Sequence, residues 1–434
     1  MMNIYTRIVS IVLLSQLFGT VFLQQSVGAT DTTAVTQSSG KGELESGSGS
    51  DAAFDIDAVR KHLDKAIDSA LEDHRIVGTV VVVAKDGKVV YRRAAGFADR
   101  ENKIAVQPDT LFRLASMTKT AVSATALHLI QQGKLNLDDP VTKWLPAFTP
   151  KLPDGTQPTI TIRQLLTHTA GLNYRFSEPD GGPYHKANVS DGLDQPGLSL
   201  SEDLKRIASC PLLFKPGTDW HYSLAIDVLG GVIEKASGKS LADAVAEAVT
   251  GPLQMNDTSF TVADVKRLAT PYCDGKSEPK RMGEPEEVKS KDSETIYSPA
   301  RVFDRRSFQS GGAGLVGTAD DYLKLIEAIR TKNPALLNEQ WIDAMRTNQV
   351  GDFKAKQTPG WGFGFGSGVM IETNNKYPYS KGTLEWGGAY GSHWFMDPEK
   401  ELTVIELTNT AFEGLFGKFS KDVANAVYDG HKSF

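Results

Sequence analysis

The two ends of this chain carry matching strand content, and that match constrains the fold more than any other feature. Gly78-Thr-Val-Val-Val-Val-Ala-Lys85 is a β-branched run, Asp86-Gly87 is a hairpin turn, and Lys88-Val-Val-Tyr-Arg92 returns. Near the other end, Ser392-His-Trp-Phe-Met396, a turn at Asp397-Pro-Glu-Lys400 and Leu402-Thr-Val-Ile-Glu-Leu407 make a second hairpin. A helical stripe precedes the first, with Ile56, Val59, Leu63, Ala66, Ile67, Ala70 and Leu71 on one face. An amphipathic segment from Leu415 to Tyr428 follows the second. The two ends can share one antiparallel sheet. Between them, from about Thr110 to Glu327, the chain is helix- and loop-rich, and the charged run Lys276 to Glu294 reads as a solvated loop. The class is α+β with a helical insertion.

Charge and metal-ligand content exclude several functions. The chain has 434 residues, with 47 basic and 53 acidic side chains, a net charge of −6. Phosphate backbones need a basic face, so nucleic acid is not expected as a partner. Two cysteines, Cys210 and Cys273, allow neither a disulfide-dense scaffold nor a cysteine zinc site. They can pair in an oxidising compartment or stay as separate buried thiols. None of the eight histidines has the spacing of a helical metal pair. No metal or cofactor is expected.

The N-terminus reads as an export signal. An apolar run from Ile8 to Leu23 is broken by Ser15, Gln16, Gly19 and Thr20, and Val27-Gly28-Ala29 supplies small residues for cleavage. The run is short of the ~20 apolar residues of a spanning helix. The expectation is a signal peptide over 1–29, a Ser/Gly/Thr-rich flexible leader over 30–53, and an exported protein, periplasmic or secreted, without a membrane span.

Ser-x-x-Lys occurs three times. Ser38/Lys41 lies in the leader, and Ser277/Lys280 has Pro279 inside it. Ser116-Met-Thr-Lys119 instead opens an apolar helix to about Gln132, closed by Gly133. Residues three apart share a helix face, so the Lys119 amine can reach the Ser116 hydroxyl. A serine needs such a base to become a nucleophile, and desolvation disfavours a lysine's ammonium form. The helix N-terminus favours a developing oxyanion nearby. Ser116 as a simple cap and Lys119 as a surface residue are the alternative reading of these two residues alone.

Longer segments add to this. Phe112-Arg-Leu-Ala-Ser-Met-Thr-Lys-Thr120 resembles the nucleophile segment of serine β-lactamase and penicillin-binding-protein-like enzymes. Gly133-Lys-Leu-Asn-Leu-Asp-Asp-Pro140, Ile162 to Leu172, Pro216 to Ser223, Gly311 to Val316 and Trp361 to Gly366 resemble segments that follow in that family. The resemblance runs from about Asp55 to the C-terminus. It implies a transpeptidase-like fold, with a five-stranded-type antiparallel sheet flanked by helices and an all-helical domain. On that basis the catalytic domain is 54–434, its α/β part about 54–110 and 328–434, its helical part about 111–327.

The resemblance also implies roles. Tyr222, in Tyr222-Ser223-Leu224, matches the family's second base, which shares a proton with Lys119 and passes it to the leaving group. Trp386-Gly387-Gly388 holds the place of the family's Lys-Thr-Gly or His-x-Gly strand, its glycines admitting substrate. The backbone N–H groups of Ser116 and Ala389 would form the oxyanion hole. Two departures bear on substrate. Leu224 stands where an Asn is usual, and Trp386 where a cation would hold the carboxylate of a penicillin or peptide. Loss of both anchors resembles the family VIII carboxylesterase branch, and also a fungal acyltransferase on the same fold. The expected activity is hydrolysis of a small-molecule ester through an acyl-enzyme on Ser116. The alternatives are a D,D-peptidase, a β-lactamase or a D-amino-acid amidase, or an acyltransferase. No Gly-x-Ser-x-Gly element exists in the chain, which removes the α/β-hydrolase elbow. His168 and Asp227 are expected to be structural, and His221 and His393 to point away from the chemistry.

Overall fold

In the computed structural model, the described residues are 54–289, 294–353, 355, 359–373 and 377–429. The expected signal segment and leader lie outside them. Helix α1 (Ile56–Glu72) starts where Asp55 accepts from the N–H groups of Asp57 (3.1 Å) and Ala58 (3.0 Å). It leads into β1 (Gly78–Lys85) and β2 (Lys88–Asp99), with β3 (Ile104–Ala105) at the edge beyond. From the other end of the chain come β4 (Trp361–Phe363), β5 (Gly368–Met370), β6 (Leu384–Gly388), β7 (Ser392–Asp397) and β8 (Leu402–Thr408). All eight join one antiparallel sheet in the order β4-β5-β6-β7-β8-β1-β2-β3. The central seam pairs the chain ends, with Val82 opposite Ile405.

The five longer strands answer to the sheet expected from the resemblance; β3, β4 and β5 add short edges. Strand alternation explains why Val80 to Val83 are all fully buried. Val81 and Val83 face a core shared with Val59, Leu63 and Ile67 of α1 and with Phe419, Val423 and Val427 of α5 (Lys418–Asp429). Val80 and Val82 face the larger core, which contains α2 (Thr118–Gln131), α3 (Ala225–Ser237) and α4 (Ala319–Arg330).

Three details differ from the sequence reading. Helix α4 packs on β8 and β1, so the α/β part begins before residue 328. The charged run is not all loop: Lys280–Arg281 pairs with Tyr272–Cys273, and Glu286–Lys289 pairs with Glu294–Tyr297. Its charges lie on strands too short to show a period. Cys210 and Cys273 are separate free thiols, both buried. Among the described residues no helix is long and apolar enough to cross a membrane.

Candidate active site

The nucleophile segment is fastened from both sides. Phe112–Arg113 pairs with Val316–Gly317, and the Leu114 N–H donates to Leu315 O (2.9 Å). A single 3₁₀ turn, Ala115–Met117, then runs into α2. The Tyr322 hydroxyl donates to Met117 O at 3.0 Å and fixes the turn from below. Ala115 is held at φ +43°, a left-handed conformation unusual for a residue with a Cβ. Ser116 follows directly.

Three expected residues converge on one atom. The Ser116 Oγ accepts from Lys119 Nζ (3.1 Å) and from the Tyr222 hydroxyl (2.8 Å). Lys119 has no exposed surface, and its amine also donates to Gly312 O (2.7 Å). It sits 4.8 Å from the Tyr222 ring centre and 5.5 Å from that of Tyr174. Both rings are within cation–π distance of the amine.

Behind Lys119 lies Asp227, in the first turn of α3. It accepts from Ser310 Oγ (2.5 Å) and from the Gly312 N–H (3.2 Å), so it holds the peptide whose carbonyl holds Lys119. A Cβ at Gly312 would lie 2.3 Å from Asp227 Oδ2, which leaves room only for glycine. Burial raises the Asp227 pKa, with the Lys119 charge opposing. The sequence reading of Asp227 as structural thus understates its place, one peptide removed from the amine.

His168 is structural, as expected, but it stands against the site. It is completely buried, its Nδ1 accepts from the Ser223 N–H (3.2 Å), and its ring lies 4.9 Å from that of Tyr222. Burial, with the Lys119 and His221 charges, drives its pKa well below 6.5. His221 turns away to Asn173 Oδ1 (2.7 Å), and His393 to Glu385 Oε1 (3.2 Å).

Trp386 packs its ring 5.3 Å from Tyr222 and 5.2 Å from Phe363, forming an apolar wall. Tyr174 extends the wall at 5.1 Å from Tyr222. Phe363 lies in the Trp361 to Gly366 segment, where the resemblance gives it no role, and Tyr174 lies in none of the resembling segments. The other expected substrate contacts change. Leu224 is fully buried in the larger core and caps α3, so it has no surface to offer a substrate. The two glycines admit the protein rather than a ligand: a Cβ at Gly387 would meet Leu415 at 2.2 Å, and one at Gly388 would meet Leu114 O at 2.2 Å. That close approach brings the end of β6, and hence Ala389, beside the nucleophile turn. The Ala389 carbonyl is itself occupied, accepting from the Tyr297 hydroxyl at 3.1 Å.

Comparison with known proteins adds to this geometry. Residues 63–425 match the family model described as Beta-lactamase. Esterase EstB of Burkholderia gladioli is 47% identical over 382 residues, 87% of this chain and 97% of EstB. Among solved structures, EstCE1, described as a hydrolase with promiscuous acyltransferase activity, is 42% identical with a TM-score of 0.84. It covers 86% of this chain and 99% of its own. The octameric penicillin-binding protein homologue from Pyrococcus abyssi, 22% identical with a TM-score of 0.63 over 84% of this chain and 76% of its own, shares the fold.

Proposed function

Because the chain belongs to the beta-lactamase family, we propose that it is a serine carboxylesterase acting through an acyl-enzyme on Ser116. The observation that carries this reading is the double hydrogen bond to Ser116 Oγ from Lys119 and Tyr222, set beside the uncharged wall of Trp386. Lys119 takes the Ser116 proton as Oγ attacks the ester carbonyl carbon. The Ser116 and Ala389 N–H groups receive the developing oxyanion. Tyr222 gives a proton to the departing alcohol and recovers one when water attacks the acyl-serine, and Lys119 returns its proton to Ser116 Oγ as the acid leaves. The relative EstB is named as an esterase, which supports the reading.

Trp386 disfavours the β-lactamase and D,D-peptidase alternatives, because a neutral indole cannot pair with the carboxylate of a penicillin or peptide. Acyl transfer is the second reading, favoured by the activity named for EstCE1. Export to the periplasm or medium is proposed on the sequence of residues 1–29 alone.

The test is turnover of p-nitrophenyl acetate, butyrate and octanoate, with a chromogenic cephalosporin alongside and methanol as an added acyl acceptor. Ser116→Ala should lower ester turnover by roughly 10³-fold or more, since the nucleophile acts as a unit with its base. Cephalosporin turnover rivalling that of the esters would overturn the ester assignment. Methyl ester formation outrunning hydrolysis would favour the transferase.

A further inference from the structure

A cavity of about 380 Å³ has a chemistry unlike that of the Ser116 site. Ala313 and Tyr390 belong to its wall, but Ser116, Lys119 and Tyr222 do not. Two arginines set its character. Arg113, with 9% of its surface exposed, donates Nη1 to Ala269 O (3.0 Å) and Nη2 to Pro299 O (2.8 Å), and its buried Nε finds no acceptor. Arg301 donates Nε to Gly192 O (3.0 Å) and Nη2 to Phe308 O (2.9 Å). Among the described residues, neither guanidinium has a carboxylate within ion-pair distance, and nor does that of Arg305, also in the wall. Carbonyl dipoles satisfy hydrogen bonds but do not neutralise a buried charge, and the acids that act on these arginines (Asp194, Asp203 and Asp227 on Arg301, Glu284 on Arg113) do so from beyond ion-pair distance.

The remaining polar groups agree. Asp304, the acid among the lining residues, is already held by Arg306 through two bonds of 2.9 and 2.7 Å. The Tyr390 ring lies 5.6 Å from the Arg113 guanidinium, and its hydroxyl makes no hydrogen bond with the described residues. Burial pushes that hydroxyl up to about 12, so it is a donor at neutral pH. Leu193, Phe260, Val302 and Leu315 supply apolar wall beside these donors.

We propose that this cavity binds an organic monocarboxylate with an apolar body, its carboxylate received by Arg113, Arg301 and Tyr390. A single negative charge matches planar donors, and guanidinium groups suit carboxylate geometry. An inorganic anion would leave the apolar wall unused. Acids of this class are also what an ester hydrolase releases, a link that rests on the esterase reading. The binding itself does not depend on it.

The experiment is photo-labelling of the full chain carrying Ser116→Ala, using octanoate with a terminal diazirine, followed by peptide mapping. Octanoate, octanamide and inorganic phosphate are the competitors. Label is expected on the segments of Phe260, Val302 or Leu315, with octanoate competing at least tenfold better than octanamide or phosphate. Tyr390→Phe, which keeps the ring, should weaken octanoate several-fold, and Arg301→Gln should weaken it further. Label confined to the segments of Tyr222 and Trp386 overturns the proposal, as does no label at all. Equal competition by octanamide or phosphate, or an unchanged Tyr390→Phe, overturns it equally. Each outcome is read without turnover, so an inactive enzyme would sink the esterase reading and leave this one standing.

Discussion

At Ser116 the same oxygen serves two donors, so the lysine and the tyrosine do not act as alternatives. Removing only the tyrosine hydroxyl separates them. Tyr222→Phe keeps the ring against Trp386 and His168 and should lower ester kcat by roughly 10²–10⁴-fold, as expected for loss of a general acid–base. Thermal unfolding of the variant should stay within a few degrees of wild type. A fall in stability matching the fall in kcat would make Tyr222 a packing residue. His168 belongs to the same neighbourhood but works through neutrality. Its folded pKa lies well below 6.5, so below that pH the unfolded chain binds the extra proton and stability declines as pH falls. His168→Gln, measured by urea midpoints between pH 5 and 7.5, should flatten that decline.

Whole elements fix the distances on which these residues depend. Strand β6 lies so near the nucleophile turn that Gly388→Ala would set a methyl 2.2 Å from Leu114 O. The strand must then move, carrying Ala389 with it. A displacement of about 1 Å at a reacting group can cost 10²-fold, so kcat should fall by that order with KM little changed. An unchanged kcat would remove Ala389 from the oxyanion site. The helix that follows Ser116 is legible in the sequence because its apolar run, the Ser-x-x-Lys pattern at its start and its closing Gly133 agree. The hairpins are legible because β-branched runs flank clear turns. What escapes notice is local geometry without a sequence period. Ala115 at φ +43° looks like any alanine, strands of two or three residues leave no alternation, and the burial of Leu224 depends on how α3 docks. Nor does any motif reveal that two glycines beside Trp386 accommodate Leu114 and Leu415.

Over the whole molecule, buried acids in the helical part oppose the effect of His168. Asp191 accepts from the N–H groups of Arg175 (2.7 Å) and Phe176 (3.1 Å), and burial raises its pKa to about 8. The folded chain therefore holds a proton that the unfolded chain loses near 3.8. That contribution is complete below 3.8 and is lost as pH rises through about 8. Urea midpoints should fall from pH 6 to 8, and less steeply in Asp191→Asn; parallel curves would locate the loss elsewhere. The central seam sets a different limit, one of time. β1 is synthesised early, and its partner β8 is among the last strands made, with Val82 waiting for Ile405. At ~5–20 residues per second the wait lasts roughly 15 seconds to a minute. Throughout it a strand with four consecutive valines has an open edge, which makes the nascent chain a client for any holding chaperone. The strand beside the nucleophile, β6, reaches β1 only through β7 and β8. A ribosome stalled before Leu402 would carry every side chain named around Ser116 and still lack the sheet that aligns them.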